Sequence, residues 1–175
     1  MIFISGVHGV GKSFFCDKVR DQVGMKSFSA SALITERKKA GFPASKLIPD
    51  IDENQQYLLD AVEELKVSEQ EFLLDGHFCL LDGSGKITRI PENTFTSLHP
   101  DAIILLTEDP AIIAERRRSR DGITAAIEDI RAFQDEEILY AQEIADLLSV
   151  PIRISKGNHD IDSTISFVAE RRNKP

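Results

Sequence analysis

The segment that decides the fold is Gly6-Val7-His8-Gly9-Val10-Gly11-Lys12-Ser13, which matches the pattern G-x-x-x-x-G-K-[ST] at every fixed position. It follows a short apolar run, Ile2-Phe3-Ile4, and precedes a helical pattern that begins at Lys12. Glycines allow the backbone to turn its N–H groups inward around a phosphate, and the start of a helix adds a favourable field for an anion. The segment and its strand–loop–helix context therefore predict a phosphate-binding loop, or P-loop.

The polar side chains of the P-loop have expected tasks if the loop holds a nucleoside triphosphate. We expect Lys12 to reach the outer phosphates and the Ser13 hydroxyl to coordinate Mg²⁺. His8 occupies a variable position, where a side chain that faces solvent is favoured and the backbone matters more than the imidazole. The predicted nucleotide-binding residues of this segment are Gly6, His8, Gly9, Val10, Gly11, Lys12, Ser13 and Phe14.

The tetrapeptide Leu-Leu-Asp-Gly occurs twice, at residues 73–76 and 80–83, and only one of the two aspartates can lie beside the metal. A P-loop needs a carboxylate near the metal at the end of a neighbouring strand. Asp75 closes an apolar run of strand length, whereas Asp82 begins Asp-Gly-Ser-Gly, where its side chain can bond nearby backbone amides. We therefore predict that Asp75 is the metal-side carboxylate and that Asp82 forms a turn.

Short apolar runs alternate with longer helical patterns along the chain. This alternation predicts an α/β fold with a mostly parallel sheet and helices on both faces. Asp109-Pro110 suits the start of one helix, Gly41-Phe42-Pro43 stops another, and Asp82-Gly83-Ser84-Gly85 indicates a β-hairpin. The predicted strands are 2–4, 26–29, 71–75, 102–106 and 150–154, and the predicted helices are 12–23, 31–40, 53–67, one that starts at 109, 125–148 and 160–171.

The composition restricts the class of protein. With 175 residues, 42% hydrophobic and 29% charged, the chain is expected to form one soluble domain over residues 1–175. No apolar run approaches a membrane span and no secretory leader is recognisable, so we expect a cytoplasmic protein without a membrane partner. A net charge of −8 argues against a broad nucleic-acid surface but allows a small anionic ligand. Cys16 and Cys79 are expected to be buried and reduced.

Four further segments extend the pattern beyond the P-loop: Leu73-Leu74-Asp75-Gly76-His77, His99-Pro100-Asp101-Ala102-Ile103-Ile104, Ile113-Ala114-Glu115-Arg116-Arg117-Arg118-Ser119-Arg120-Asp121 and Lys156-Gly157-Asn158. With these segments in this order, the chain resembles the P-loop nucleoside monophosphate kinases, most nearly the archaeal-type adenylate kinases and related adenylate-kinase-like proteins. The resemblance implies a P-loop NTPase three-layer sandwich with a five-stranded sheet in the order 2-3-1-4-5. It also implies the cofactors ATP and Mg²⁺ and transfer of the γ-phosphoryl group to a small-molecule acceptor.

The resemblance assigns roles to two arginines in a short lid at about residues 116–125. Arg116 would lie over the adenine and phosphates, and Arg120 would reach the transferring group. Residues four apart on a helix share a face, so both guanidiniums can point to one anion, whereas Arg117 and Arg118 face other directions. The alternative interpretation is a solvated basic face joined by ion pairs.

Two further features of the predicted nucleotide side lie downstream of the lid. The resemblance matches Lys156-Gly157-Asn158 to a loop that approaches the base through backbone atoms, although the plain start of a helix would explain the same residues equally well. Arg131 is an additional candidate for the lid site. These residues complete the predicted nucleotide side of the site.

The acceptor side is expected on an arm at about residues 30–68. Ser29, Arg37 and His77 are predicted to line it, although hydrogen bonding within the fold would suit Ser29 and His77 as well. Such kinases usually hold the acceptor phosphate with arginines on this arm. The cations of the arm do not match that arrangement, and they are Arg37, Lys38, Lys39 and Lys46.

Two functions therefore remain open. The first is a kinase that phosphorylates a nucleoside monophosphate or another small metabolite. The second is a nucleotide-binding or slowly hydrolysing ATPase module that regulates a partner. The arginines of the lid favour the first function, whereas the unmatched arm keeps the second open. The lid is also shorter than in the archaeal-type pattern, and this departure and the unmatched arm both bear on whether the acceptor is adenylate. No sequence pattern indicates an oligomeric state.

Overall fold

A computed structural model describes residues 1–39, 51–69 and 71–172. The predicted helix stop at Gly41-Phe42-Pro43 and the lysine of the arm at Lys46 lie outside the described residues. The strands are β1 (Ile2–Ser5), β2 (Lys26–Ser29), β3 (Phe72–Asp75), β4 (Cys79–Leu81), β5 (Ile87–Arg89), β6 (Ala102–Thr107) and β7 (Ile152–Lys156). The helices are α1 (Lys12–Val23), α2 (Ala30–Lys39), α3 (Ile51–Ser68), α4 (Glu92–Leu98), α5 (Pro110–Asp121), α6 (Ile127–Leu148) and α7 (Ile161–Arg172), with a 3₁₀ turn at Gly157–His159.

Five strands form a parallel sheet in the order β2-β3-β1-β6-β7. When only these five are counted along the chain, the order is 2-3-1-4-5, so the predicted P-loop α/β fold is confirmed. Strand β1 is central, because Phe3 pairs with Leu74 of β3 on one side and with Ile103 of β6 on the other. Parallel strands end at the same edge, and the residues that follow β1, β3 and β6 therefore meet at the carboxyl edge, where α/β folds bind ligands.

Side chains alternate across β1 and divide the interior between the two faces of the sheet. Phe3 belongs to the core on the face covered by α3, α4 and α6, whereas Ile2 and Ile4 belong to the core on the face covered by α1, α5 and α7. On the first face, the rings of Phe3, Phe78 and Phe95 pack with centroids 4.8 to 5.6 Å apart. The sheet between two helical layers forms the predicted three-layer sandwich.

Helix α4 was not predicted from the sequence. Its seven residues are too few to show a helical period, and it forms because Phe95 and Leu98 are buried against the sheet. The predicted hairpin is present, since β4 and β5 pair antiparallel. Cys16 and Cys79 are both buried and free, as predicted. Within the described ranges, no helix is both long enough and apolar enough to cross a bilayer.

Candidate functional site

The carboxyl edge of the sheet opens into a cleft of about 1200 Å³. Its walls come from the P-loop, α2, α3, the corner after β3, α4 and α5. A pocket for one small ligand typically measures ~300–1,000 Å³, so this cleft has room for two ligands side by side. The predicted site residues that line it are His8, Gly9, Val10, Gly11, Lys12, Ser13, Phe14, Ser29, Asp75, His77, Arg116, Arg120 and Gly157.

The P-loop follows a backbone path that requires glycine. Gly6, Gly9 and Gly11 have φ angles of 145°, 89° and 113°. A Cβ atom at Gly6 would lie 2.6 Å from the carbonyl oxygen of Leu106, and one at Gly9 would lie 2.8 Å from Cγ of Arg117. The glycines therefore allow both the turn of the loop and its close approach to β6 and α5.

Lys12 is the first residue of α1 and lies inside the cleft. Its Nζ donates a hydrogen bond to the carbonyl oxygen of Gly6 at 2.6 Å, and it lies 3.7 Å from Asp75 Oδ1 and 3.3 Å from His77 Nε2. Burial lowers the pKa of Lys12 and raises the pKa of Asp75, because their attraction offsets only part of the desolvation of each charge. A polyphosphate with its bound cation would compensate both groups.

Glu137 is a residue of the site that the sequence analysis missed. Its carboxylate on α6 is fully buried and accepts a hydrogen bond from Ser5 Oγ at 2.5 Å. It also accepts hydrogen bonds from the backbone N–H groups of Phe78 and Cys79, at 2.9 and 2.8 Å. Ser5 is the last residue of β1, directly before the P-loop, and the two amides follow β3. Glu137 therefore joins the P-loop strand to the corner of the chain after β3.

His77 lies between Lys12 and Glu137 at this corner. Its Nε2 faces Lys12, and its Nδ1 lies 3.8 Å from Glu137 Oε1. In the described part of the chain, Nδ1 has no hydrogen-bond partner. The side chain is 30% exposed and lines the cleft. The imidazole is therefore held between a cation and a carboxylate, with its open side toward the cleft.

Arg116 lies over the P-loop. Its guanidinium donates hydrogen bonds to the carbonyl oxygen of Val10 at 3.1 Å and to Glu108 Oε2 at 3.0 Å. A Cβ atom at Gly11 would lie 3.9 Å from Arg116 Nη1. Arg116 therefore contacts the backbone of the loop directly, at the place where the phosphates are expected.

Arg120 lies at the rim of the cleft. Its Nε donates to Asp121 Oδ1 at 2.7 Å, and its Nη2 lies 3.1 Å from His8 Nε2. The hydrogen bonds from Arg120 lower the pKa of Asp121 to about 2. Arg118, by contrast, pairs with Glu115 on the exposed face of α5. The structure thus places Arg116 and Arg120, but not Arg118, in the wall of the cleft.

Arg117, which was predicted to face another direction than Arg116 and Arg120, does not line the cleft. Arg117 is half-buried, and the close approach of its Cγ to Gly9 shows that its stem covers the loop. Helical spacing sets the direction of Cβ, but the long aliphatic stem can still fold over a neighbouring segment. Arg131 does not line the cleft and pairs with Glu128 on the exposed side of α6, so its part in the lid site stays a prediction.

On the acceptor side, the structure brings Ser29 and His77 to the cleft but not Arg37. Arg37 donates a hydrogen bond to the carbonyl oxygen of Asp60 at 3.0 Å and pairs with Glu64 at 2.5 Å. These contacts hold the guanidinium against α3, outside the cleft. Because α2 turns this residue toward α3, the structure does not bring Arg37 to the cleft, and its acceptor role stays a prediction.

The loop after β7 meets the cleft through its backbone. Gly157 has a φ of 63°, and a Cβ atom there would lie 2.5 Å from Glu108 Oε2. The N–H of Lys156 donates to Asp160 Oδ1 at 2.9 Å, while the Lys156 side chain is exposed and does not line the cleft. The side chain of Asn158 lies outside the described residues. Of the described part of this loop, Gly157 is the residue that reaches the cleft wall.

Asp82 forms the turn between β4 and β5. Its Oδ1 accepts hydrogen bonds from the hydroxyl and the N–H of Ser84 at 2.6 and 2.8 Å and from the N–H of Lys86 at 3.0 Å. These bonds, the one from the Ser84 hydroxyl first, lower the pKa of Asp82. Of the two Leu-Leu-Asp-Gly copies, the first alone places its aspartate in the cleft.

Comparison with known proteins agrees with this geometry. The model of a family described as "AAA domain" matches residues 5–134, which contain the P-loop, Asp75, Arg116 and Arg120. The chain belongs to this family. Among the similar relatives, an adenylate kinase of Thermoplasma acidophilum is 28% identical and covers 98% of this chain and 90% of its own length. A putative adenylate kinase of Methanocaldococcus jannaschii is 29% identical over 93% of this chain and 76% of its own. The expected resemblance to adenylate-kinase-like P-loop kinases is confirmed.

Two solved structures share the fold of this AAA domain. A gluconokinase from Sinorhizobium meliloti 1021 has a TM-score of 0.53 at 17% identity, over 98% of this chain and 94% of its own. An uncharacterized protein from Eubacterium ventriosum has a TM-score of 0.55 at 11% identity, over 99% of this chain and 98% of its own. At these identities the likeness shows the fold alone.

The predicted metal residues of the domain, Ser13 and Asp75, both line the cleft beside Lys12. Across residues 1–39, 51–69 and 71–172, no cluster of three or more His, Cys, Asp or Glu side chains is arranged to hold a metal ion by itself. Mg²⁺ keeps several waters and binds through one or two carboxylates together with substrate phosphates. A hydroxyl and a carboxylate beside a phosphate-binding loop fit that requirement.

Asp75→Asn and Asp82→Asn form a matched pair of substitutions. We expect Asp75→Asn to lower Mg²⁺-dependent ATP turnover roughly 10- to 100-fold, because it removes the charge beside Lys12 and beside the predicted metal position. Asp82→Asn should change turnover less than about twofold, because asparagine serves a turn almost as well. The measurement is the initial rate of ADP formation over a series of Mg²⁺ concentrations. A larger loss in Asp82→Asn than in Asp75→Asn would reverse the assignment.

Proposed function

We propose that this protein binds Mg-ATP at the P-loop and transfers its γ-phosphoryl group to a small acceptor. The first candidate for this acceptor is a nucleoside monophosphate. The observation that carries the proposal is a single cleft lined by Lys12 and Asp75, by Ser29 of the adjoining strand β2 and by Lys38 of α2. An acceptor bound against α2 would present its reactive group next to the outer phosphate. The relatives named adenylate kinase support the same reaction class.

The polar side chains of the cleft would each have a separate role in such a transfer. Lys12 would exchange its hydrogen bond with Gly6 for oxygens of the outer phosphates. Ser13 and Asp75 would hold Mg²⁺, which when bound neutralises charge on the phosphate oxygens. Positioning and charge stabilisation are sufficient for phosphoryl transfer, so no nucleophilic side chain is required. The free Cys16 and Cys79 are consistent with the cytoplasmic location that we include in the proposal.

One observation favours a second candidate, an ATPase module that regulates a partner. Of the lysines and arginines of α2 and α3 that the structure describes, only Lys38 lines the cleft, because Arg37 is fixed against α3. An acceptor phosphate would meet few cations from these helices. A protein that only hydrolyses ATP would need none.

The fate of the γ-phosphorus separates the two candidates. We expect ³¹P NMR of reactions that contain Mg-ATP and one of AMP, CMP, GMP, UMP or D-gluconate to show a phosphorylated acceptor in at least one case. Lys12→Ala should lower the rate roughly 100-fold or more, because the outer phosphates lose their direct cation. The control is Lys26→Ala, since Lys26 is exposed at the far end of β2 and pairs with Glu69.

Orthophosphate as the product with every acceptor would favour the ATPase module over the kinase. Full activity of Lys12→Ala would contradict the assignment of the nucleotide to the P-loop. A loss in Lys26→Ala as large as in Lys12→Ala would show that the assay reports stability rather than the site.

We also propose that Arg120 acts mainly in a closed, transferring state. It lies four residues after Arg116 on the same helix, and both side chains line the cleft. Its present partners, Asp121 and His8, hold it at an exposed rim, so a small movement of the end of α5 can exchange them for a γ-phosphoryl oxygen. Such an interaction, made only in the transition state, raises kcat rather than ATP affinity.

Arg120→Ala should therefore lower kcat about 100-fold while the Kd for ATP changes less than about threefold. Arg120→Lys should recover only part of the rate, because an ammonium does not reproduce the planar fork of a guanidinium. Arg118→Ala is the control on the exposed face of α5. Steady-state kinetics measures kcat, and calorimetry measures the Kd for ATP. Equal small losses in Arg116→Ala, Arg118→Ala and Arg120→Ala would instead indicate a solvated basic face.

A further inference from the structure

Two carboxamide side chains of α3 contribute unpartnered oxygen atoms to the wall of the cleft. Asn54 and Gln55 both line the cleft, and Gln55 is only 6% exposed. Among the residues that the structure describes, Asn54 Oδ1 and Gln55 Oε1 are shielded from solvent and accept no hydrogen bond. On the exposed side of the same helix, Gln56 donates a hydrogen bond to Asp60 at 2.8 Å. The unpartnered oxygens thus occur where α3 faces the cleft.

A buried amide oxygen without a partner costs stability, and folded proteins leave few such atoms. Two adjacent ones in the wall of a cleft therefore call for an explanation beyond folding. An apolar side chain of similar size would fill the same space without this cost. The structure keeps two strong hydrogen-bond acceptors here instead, as a site for a ligand with hydrogen-bond donors would require.

The neighbouring wall is apolar. Leu58 of α3 and Phe95 and Leu98 of α4 line the cleft on the same side of the sheet as the carboxamides. A charged group placed against these side chains would lose hydration without a partner. The part of a ligand that fits here is therefore uncharged, and it carries N–H or O–H groups for the two oxygens.

We propose that Asn54 and Gln55 select the phosphate acceptor through hydrogen-bond donors on its uncharged portion. This inference rests on the proposed function, because it assigns the α3 side of the cleft to the acceptor. The amino group of a nucleobase and the hydroxyls of a sugar acid both offer such donors. A molecule without them leaves the two oxygens unpaired in a site stripped of water, and the pair therefore discriminates against it.

The test is equilibrium binding, which is independent of turnover. Calorimetry is performed on protein saturated with Mg²⁺ and the non-hydrolysable analogue AMP-PNP. The probes are AMP, purine riboside 5′-monophosphate, which lacks the amino group of the base, and D-gluconate. The variants are Asn54→Leu and Gln55→Met, which remove the carboxamide at nearly constant size. Gln56→Met is the matched control, because Gln56 lies on the exposed side of the helix.

We expect Gln55→Met to lower the affinity for AMP or for D-gluconate about tenfold or more, and to leave the affinity for AMP-PNP within about twofold of the wild type. Its midpoint of urea unfolding should equal or exceed that of the wild type, because the substitution removes an unpartnered oxygen and breaks no hydrogen bond among the described residues. If Gln55→Met lowers the affinity for AMP but not the affinity for purine riboside 5′-monophosphate, the donors lie on the base. A loss for D-gluconate assigns them to hydroxyls.

The inference is overturned if the probes that bind the wild type bind Asn54→Leu and Gln55→Met equally well. It is also overturned if no probe binds while AMP-PNP does. Equal losses of affinity for AMP and purine riboside 5′-monophosphate would instead assign the donors to the ribose hydroxyls, which both nucleotides carry. Turnover that yields only orthophosphate, together with AMP binding that depends on Gln55, would instead count against phosphotransfer and support the binding site.

Discussion

The buried carboxylate of Glu137 is the interaction on which the geometry of the cleft depends. A buried charge is tolerated only when hydrogen bonds replace its hydration, and Glu137 receives them from Ser5, Phe78 and Cys79. These three donors belong to the end of β1 and to the corner after β3. The same carboxylate also lies 3.8 Å from Nδ1 of His77. One side chain of α6 thus fixes the start of the P-loop relative to the corner after β3.

Around this fixed corner, the charges of the cleft are arranged for a ligand rather than for stability. Burial lowers the pKa of Lys12 and raises that of Asp75, and each change disfavours the charged form. Arg116 is bound to a backbone carbonyl and to Glu108, and Gln55 holds an oxygen that has no partner in the described part of the chain. Mg²⁺ and polyphosphate would compensate Asp75 and Lys12, and hydrogen-bond donors on the acceptor would compensate Gln55. Active sites commonly trade stability for binding in this way.

The sequence was informative wherever the deciding feature is local. The glycine spacing of residues 6–11 predicts the P-loop, alternating strands and helices predict the parallel sheet, and Asp82 before Gly-Ser-Gly predicts a turn. It was not informative where distant segments meet. Glu137 lies 132 residues from Ser5, and an acidic residue in the apolar stripe of α6 does not reveal which amides it will contact. Arg37 was assigned by its position on the arm, but the packing of α2 on α3 decides where it points.

The affinity for Mg-ATP of Glu137→Gln tests most directly whether this carboxylate fixes the nucleotide site. Glutamine keeps one acceptor oxygen, but its N–H₂ group cannot accept a hydrogen bond from the groups that donate to the carboxylate. We therefore expect calorimetry to show that Mg-ATP binds about tenfold or more weakly. Glu136→Gln is the control on the neighbouring residue, which is partly exposed and pairs with Arg89, and it should bind as the wild type does. Wild-type affinity in Glu137→Gln would contradict the account.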